Sequence, residues 1–281
     1  MNVMKYTIAA IMLMINLIST CGNPKTTGTK TDTVQPITAQ HEEIPGGNMV
    51  KSEAPDAVTK TTQGYALPKL DDGEVQSPID IISDSTMKDS GQFISIKFKT
   101  GITDVENLGH TIQLDFKEGS TTVAGGKTYS SKQFHFHTPS EHMIDGITYP
   151  MEMHIVNILK DSGGNKNPQY LVIGLLFKMG HENKFIKEFL NNIPKEEGKD
   201  TLPSGSVHFE DLFMTIPKKE EAGYYSYNGS LTTPPYSETV LWIVKKYILE
   251  ASPEQISTIE KMEGDNARHV RALYARKVYS N

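Results

Sequence analysis

Gln133-Phe134-His135-Phe136-His137-Thr138-Pro139 and Met151-Glu152-Met153-His154-Ile155 are the stretches whose reading decides the fold. On a strand, residues i and i+2 share a face, so His135 and His137 point one way while Phe134 and Phe136 pack the other way. Thr138-Pro139 stops that strand, and Gly146 and Pro150 bracket a return. The second stretch alternates again, and antiparallel pairing places His154 across from the first two histidines. Glu152 shares that face, and Met153 and Ile155 go to the apolar side. A lone His-x-His on a strand reads as two ordinary histidines. A third strand-borne His with a Glu beside it turns the reading toward a metal site. Three neutral imidazoles with no Cys available suit zinc, and three protein ligands leave a fourth position open for water, the mark of a catalytic site. Gln133 and Glu152 each lie two residues before a ligand and on its face, where each could hold the other ring nitrogen.

Outward from this pair, short alternating segments dominate. Phe93 to Phe98, Thr111 to Phe116, Lys132 to His137 and Met151 to Leu159 carry strand patterns. Tyr170 to Phe177 and Val240 to Val244 are continuously apolar and β-branched, which predicts buried strands. Helical patterns are fewer: His181 to Asn191, and Ser252 to Glu263, where Ser252-Pro253-Glu254 is a good N-terminal signal. Many strands with few, short helices predict a mainly-β (α+β) fold around a large central sheet.

The chain has 281 residues, a net charge of −6, 37% hydrophobic residues, one Trp and one Cys. The mild acidity argues against a nucleic-acid binder, which normally shows a basic face. One Cys excludes an intramolecular disulfide and any Cys-rich metal site. That Cys is Cys21, preceded by Lys5, the apolar run Ile8 to Ile15, and Leu17-Ile18-Ser19-Thr20. A basic start, a short apolar run and small residues predict a signal peptide over 1–20, too short to span a membrane. Ile18-Ser19-Thr20-Cys21 resembles a bacterial lipobox, with Thr20 a departure, and predicts an exported, periplasmic or cell-surface protein lipid-anchored at Cys21. The alternative is a plain secreted protein with an incidental Cys. Residues 21–63 are polar and almost free of aromatics, the composition of a flexible linker. The catalytic domain is expected over 64–281.

A second cluster lies downstream, Gly229-Ser230-Leu231-Thr232-Thr233-Pro234-Pro235, ahead of the strand that holds Trp242. With Gln76-Ser77-Pro78-Ile79-Asp80-Ile81, Gln133 to His142, and Glu152-Met153-His154, it resembles the α-class carbonic anhydrases. Asn266-Ala267-Arg268 fits the closing motif of that class. The resemblance runs in order from about Leu67 to Arg268, and the form His-Phe-His-Thr-Pro-Ser-Glu-His is similar to the bacterial and plant branch.

The resemblance implies a single domain around a ten-stranded, largely antiparallel twisted sheet, with Zn2+ held by His135, His137 and His154. It implies that Gln133, Glu152 and the backbone carbonyl of Asn266 hold His135, His154 and His137 in turn. It implies reversible hydration of CO2 to bicarbonate and a proton by attack of zinc-bound hydroxide, with Thr232 accepting from that hydroxide and donating to Glu141. Val156, Val172, Leu231, Val240 and Trp242 would line the CO2 pocket, with Thr233 at its polar edge. His110 matches the proton-shuttle position, with Gln113 nearby. His142 reads as structural, packed behind the site. Similar bacterial enzymes are often homodimers, although the sequence carries no interface signature.

Two departures stand out. Thr61 to Leu70 holds only Tyr65, where the class carries a Trp- and Tyr-rich segment. Asp71 and Tyr236 occupy positions where secreted bacterial members carry a disulfide. The rival functional reading is a catalytically silent, carbonic-anhydrase-like surface binding protein. Relatives of that kind typically lose zinc-binding histidines, and all three are present.

Overall fold

The structure, a computed structural model, describes residues 73–89, 97–99, 101–160, 168–218 and 220–281. The expected signal peptide, Cys21 anchor and linker lie outside the described residues, as do residues 93–96 of the first expected strand.

Ten strands form one continuous hydrogen-bonded path. In chain order they are β1 (Met87–Lys88), β2 (Ile102–Asn107), β3 (Ile112–Phe116), β4 (Lys127–His137), β5 (Met151–Leu159), β6 (Tyr170–Met179), β7 (Gly198–Thr201), β8 (Tyr224–Gly229), β9 (Val240–Lys245) and β10 (Tyr279–Ser280). Their order across the sheet is β7-β2-β3-β4-β5-β6-β9-β8-β10-β1; off this path, Thr121–Ala124 pairs with β4 and with Lys97–Lys99, and Leu249–Ala251 pairs with β6. With these three the sheet has thirteen strands among the described residues rather than ten, and it is largely antiparallel with parallel pairs. β6 and β9 run parallel, as do β10 and β1, while β7 through β6 are antiparallel.

The α-helices among the described residues are α1 (Lys184–Leu190) and α2 (Pro253–Glu263). α1 starts later than the apolar pattern suggested, because the Asn183 side chain caps it, accepting from Ile186 N at 3.2 Å. α2 starts where expected: Ser252 and Gln255 form a reciprocal capping box behind Pro253.

The sheet separates two cores. Phe134, Phe136, Met153, Ile155, Ile173, Leu175 and Phe177 enter the larger one, with Phe185 and Phe189 of α1 and Ile256 and Ile259 of α2. Val172, Leu176, Val240, Trp242 and Val244 enter the other, with Tyr225 and Tyr227. β6 contributes to both faces, which is why its sequence is unbroken apolar rather than alternating. The chemistry-bearing side chains of β4 and β5 share the second core's face.

Candidate active site

β4 and β5 pair antiparallel with His154 opposite His135, Glu152 opposite His137 and Val156 opposite Gln133. On the far side of β4, Gln113 pairs with His135, and beyond β5, Gly174 pairs with His154. One row across the sheet therefore reads Gln113, His135, His154, Gly174. Gly174 is required there: a Cβ would come within 2.9 Å of Glu152 Oε1 and 3.9 Å of the Trp242 ring.

The three imidazoles converge, with ring centroids 5.0 Å apart for His135 and His137, 5.3 Å for His135 and His154, and 4.6 Å for His137 and His154. One nitrogen from each lies within 4.8 Å of the other two. Their second nitrogens identify which atoms face inward. His135 Nδ1 donates to Gln133 Oε1 at 2.9 Å, leaving the Nε2 lone pair free. His154 Nε2 donates to Glu152 Oε1 at 2.9 Å, leaving Nδ1. Both ring nitrogens of His137 are buried, and neither makes a hydrogen bond of full geometry among the described residues. Burial holds His135 well below the usual imidazole range, His137 down to about 4, and His154 lower than usual, so all three are neutral at physiological pH. Neutral, nitrogen-only donors on rigid strands, one with orphaned nitrogens, fit a borderline metal ion such as zinc.

Asn266, expected to hold His137, sits beside that ring and raises its proton affinity through both its backbone and its side chain. Its Oδ1 accepts from Thr138 N at 3.1 Å, and its Nδ2 donates to the carbonyls of His110 at 2.8 Å and Phe136 at 3.2 Å.

Glu152 is fully buried and accepts four hydrogen bonds: His154 Nε2, His142 Nδ1 at 2.7 Å, Glu141 N at 2.9 Å and His142 N at 2.8 Å. Burial alone would raise its pKa, but His142 and His154 outweigh it and hold the carboxyl well below its usual range. His142 Nε2 meets Tyr227 OH at 2.6 Å, and Tyr227 OH lies 2.9 Å from Ser77 Oγ. The polar chain thus runs from His154 to the Gln76-Ser77 motif. His142, expected as packing, is one of its links. Tyr227 was not singled out in the sequence, and an aromatic in an alternating strand carries no mark of such a bond.

Glu141 is buried with Oε2 at 3.6 Å from His137 Nε2 and 3.8 Å from His154 Nδ1, and Oε1 accepts from Arg268 N at 3.0 Å. Burial raises its pKa, while His154, the neighbouring Thr232 hydroxyl and Arg268 N–H favour the carboxylate. Oε2 itself has no hydrogen bond of full geometry among the described residues. Val156, Val172, Val240, Trp242 and Leu231 belong to one apolar cluster on the histidine face, and the Trp242 ring lies 4.8 Å from His154. Thr232 is buried and Thr233 exposed. Ser77 and Ser230 lock the Thr232 loop to the N-terminal motif through Ser77 N to Ser230 Oγ at 2.9 Å and Ser230 N to Ser77 Oγ at 3.1 Å. Arg268 Nη1 donates to Gln76 Oε1 at 3.0 Å and Ser77 O at 2.7 Å, bringing in the C-terminal motif.

His110 is exposed in the turn between β2 and β3, its Nδ1 donating to Leu108 O at 2.8 Å. A carbonyl can only accept, so the proton sits on Nδ1 and Nε2 carries a free lone pair.

The sequence profile of the family described as "Eukaryotic-type carbonic anhydrase" matches residues 64–281. The chain belongs to the eukaryotic-type, or α-class, carbonic anhydrases. The carbonic anhydrase of Neisseria gonorrhoeae is 38% identical over 208 residues, covering 73% of this chain and 77% of that protein. That of Pectobacterium carotovorum is 34% identical over 205 residues, covering 73% and 79%. Among solved structures, the α-carbonic anhydrase of Thermovibrio ammonificans, in complex with the inhibitor sulfanilamide, has a TM-score of 0.65 and 39% identity over 74% of this chain and 87% of that one. By family the chain is an enzyme of CO2 hydration.

Proposed function

We propose that the chain catalyses CO2 + H2O ⇌ HCO3− + H+ with a zinc ion held by His135 Nε2, His154 Nδ1 and a ring nitrogen of His137. The carrying observation is the convergence of three neutral imidazole nitrogens within 4.8 Å. When bound, zinc supplies a Lewis acid that lowers the proton affinity of a water in its open fourth position. Gln133 and Glu152 fix the tautomers, so that lone pairs rather than protons face the ion.

The remaining groups serve the substrate and the proton. The Glu141 carboxylate, held by Arg268 N–H, attracts the Thr232 proton and turns that hydroxyl's lone pairs toward the site, where they accept a hydrogen bond. Val156, Val172, Leu231, Val240 and Trp242 form a wall suited to neutral, apolar CO2, with Thr233 at its polar edge. His110 accepts the product proton at Nε2 and releases it to solvent. The leader pattern and Cys21 support an exported protein, anchored by lipid at Cys21 and tethered by 21–63.

Stopped-flow CO2 hydration with zinc analysis tests the reading. Wild type is expected to bind one zinc per chain and hydrate CO2, and His135→Ala to lose both. His110→Ala is expected to keep zinc and slow turnover by about tenfold, recovering with added imidazole. Stoichiometric zinc without hydration would establish the binding-protein reading instead.

A further inference from the structure

The last turn of α2 carries a carboxyl that this chemistry does not use. Glu263 is 5% exposed and lies between β3 and the residue that follows His137. Ile112 N, at the start of β3, donates to Glu263 Oε2 at 3.1 Å. Thr138 Oγ1 is 3.0 Å from Glu263 Oε1 and also 3.0 Å from the carbonyl oxygen of Gly264.

Those two equal distances set a counting problem. A hydroxyl owns one proton, and a carbonyl oxygen and a carboxylate own none. With Glu263 ionised, the Thr138 proton can satisfy one neighbour, and the other contact becomes two lone pairs facing each other in a buried site. With a proton on Glu263 Oε1, every oxygen is satisfied: Glu263 donates to Thr138 Oγ1, and Thr138 donates to Gly264 O. Oε2 still accepts from Ile112 N. Among the described residues no cation pairs with this carboxyl. The groups acting on Glu263 are the Ile112 amide and the Thr138 hydroxyl, and burial pushes its pKa up to about 8. The titratable side chains on the segments packed against it include His110 and Asp115 around β3, His135 and His137 on β4, Lys184, Lys187 and Glu188 on α1, and Glu260, Lys261 and Asp265 beside Glu263 itself. None makes an ion pair with it among the described residues.

The position gives the proton a purpose. Ile112 follows His110 by two residues, and Thr138 follows His137 directly. Asn266, three residues after Glu263, holds Thr138 N and the His110 carbonyl. One short segment therefore grips both the shuttle turn and the end of the ligand strand.

We propose that Glu263 is an un-ionised carboxylic acid at neutral pH and a positioning residue that latches the His110 turn to the end of the strand carrying His135 and His137. The positioning half rests on His110 being the proton shuttle; the protonation half does not.

Infrared difference spectroscopy between wild type and Glu263→Gln at pH 7 reads the proton. A protonated-carboxyl carbonyl stretch present in wild type and lost in the variant is expected; only a carboxylate difference band overturns the proposal. Hydration kinetics read the latch. Glu263→Gln, whose amide donates and accepts as the acid does, is expected to keep kcat and kcat/KM within about twofold. Glu263→Ala is expected to lower kcat about fivefold or more, to recover with imidazole, and to keep kcat/KM. Glu263→Met, which fills the space without hydrogen bonds, takes the place of the Ala variant if that one does not fold. Unchanged kcat in these apolar variants, with His110→Ala impaired, overturns the latch. Unchanged kcat in His110→Ala itself defeats the shuttle reading, and the infrared result then stands on its own.

Discussion

Replacing Phe134 by Ala separates the two faces of β4. Phe134 is fully buried, and its ring meets five other aromatic rings: Phe116 at 5.5 Å, Phe136 at 6.1 Å, Phe185 at 5.5 Å, Phe189 at 6.3 Å and Phe209 at 5.9 Å. Truncation removes a whole ring from a close-packed cluster fed by two strands, a helix and the 209–212 turn. Such a cluster cannot collapse into the void easily, so the cost belongs in the usual Phe→Ala range, about 4 kcal/mol. In a domain of this size each kcal/mol moves Tm by roughly 2–4 °C, giving a drop of about 8–16 °C. That is short of the 5–15 kcal/mol or so that typically separates folded from unfolded chains, so most folds would survive at 20 °C. The neighbouring His135 points to the other face, so the folded variant is expected to bind one zinc and keep kcat/KM within about twofold. Urea titration, thermal melting and zinc analysis of one preparation measure all three. Loss of zinc with Tm lowered by less than about 3 °C would refute the two-faced account of the strand.

Two further outcomes are expected. In metal-free protein, His137 has its pKa lowered by burial to about 4 against 6.5 in the unfolded chain. Below pH 6.5 the unfolded chain takes up a proton the folded one refuses, so stability present above 6.5 is lost as pH falls toward 4, by about 3 kcal/mol at 1.36 kcal/mol per unit. Urea midpoints at pH 7.5 and pH 4.5 check this, and equal midpoints would exclude it. Cells fed labelled fatty acid are expected to label the wild-type chain and not Cys21→Ala; label surviving that substitution removes the lipid anchor.

The site's centre was legible because its chemistry obeys the strand period. His135, His137, His154, Gln133 and Glu152 share a face only if β4 and β5 pair in this register, and Phe134, Phe136, Met153 and Ile155 demanded that register by needing the core. The N-terminal half of β4 was missed because Lys127-Thr128-Tyr129-Ser130-Ser131 is too polar to show a hydrophobic alternation, although it pairs with Thr121–Ala124. The parallel run of β9 on β6 was also hidden, since pairing direction between distant apolar strands leaves no local trace. The bonds made by Tyr227, Ser77 and Glu263 join residues remote in sequence, and nothing near any of them announces its partner. The side chain of Asn266 likewise reaches Thr138, His110 and Phe136, remote partners that no local pattern announces.

The latching of Gln76 and Ser77 onto Ser230 and Arg268 has a consequence for when the enzyme becomes an enzyme. The three histidines lie within one hairpin, and a nascent chain could form that hairpin early. Glu141, however, takes a hydrogen bond from Arg268, a residue 127 positions later, and Arg268 reaches back 192 positions to Gln76. Contacts of such span form late, since their loop-closure entropy must be overcome before they add stability. On the proposed zinc reading, metal capture and catalytic competence are thus separable in time. A chain that has folded its hairpin would take up zinc before Thr232 and Glu141 are aligned, and zinc content alone would overcount the active molecules in a refolding mixture.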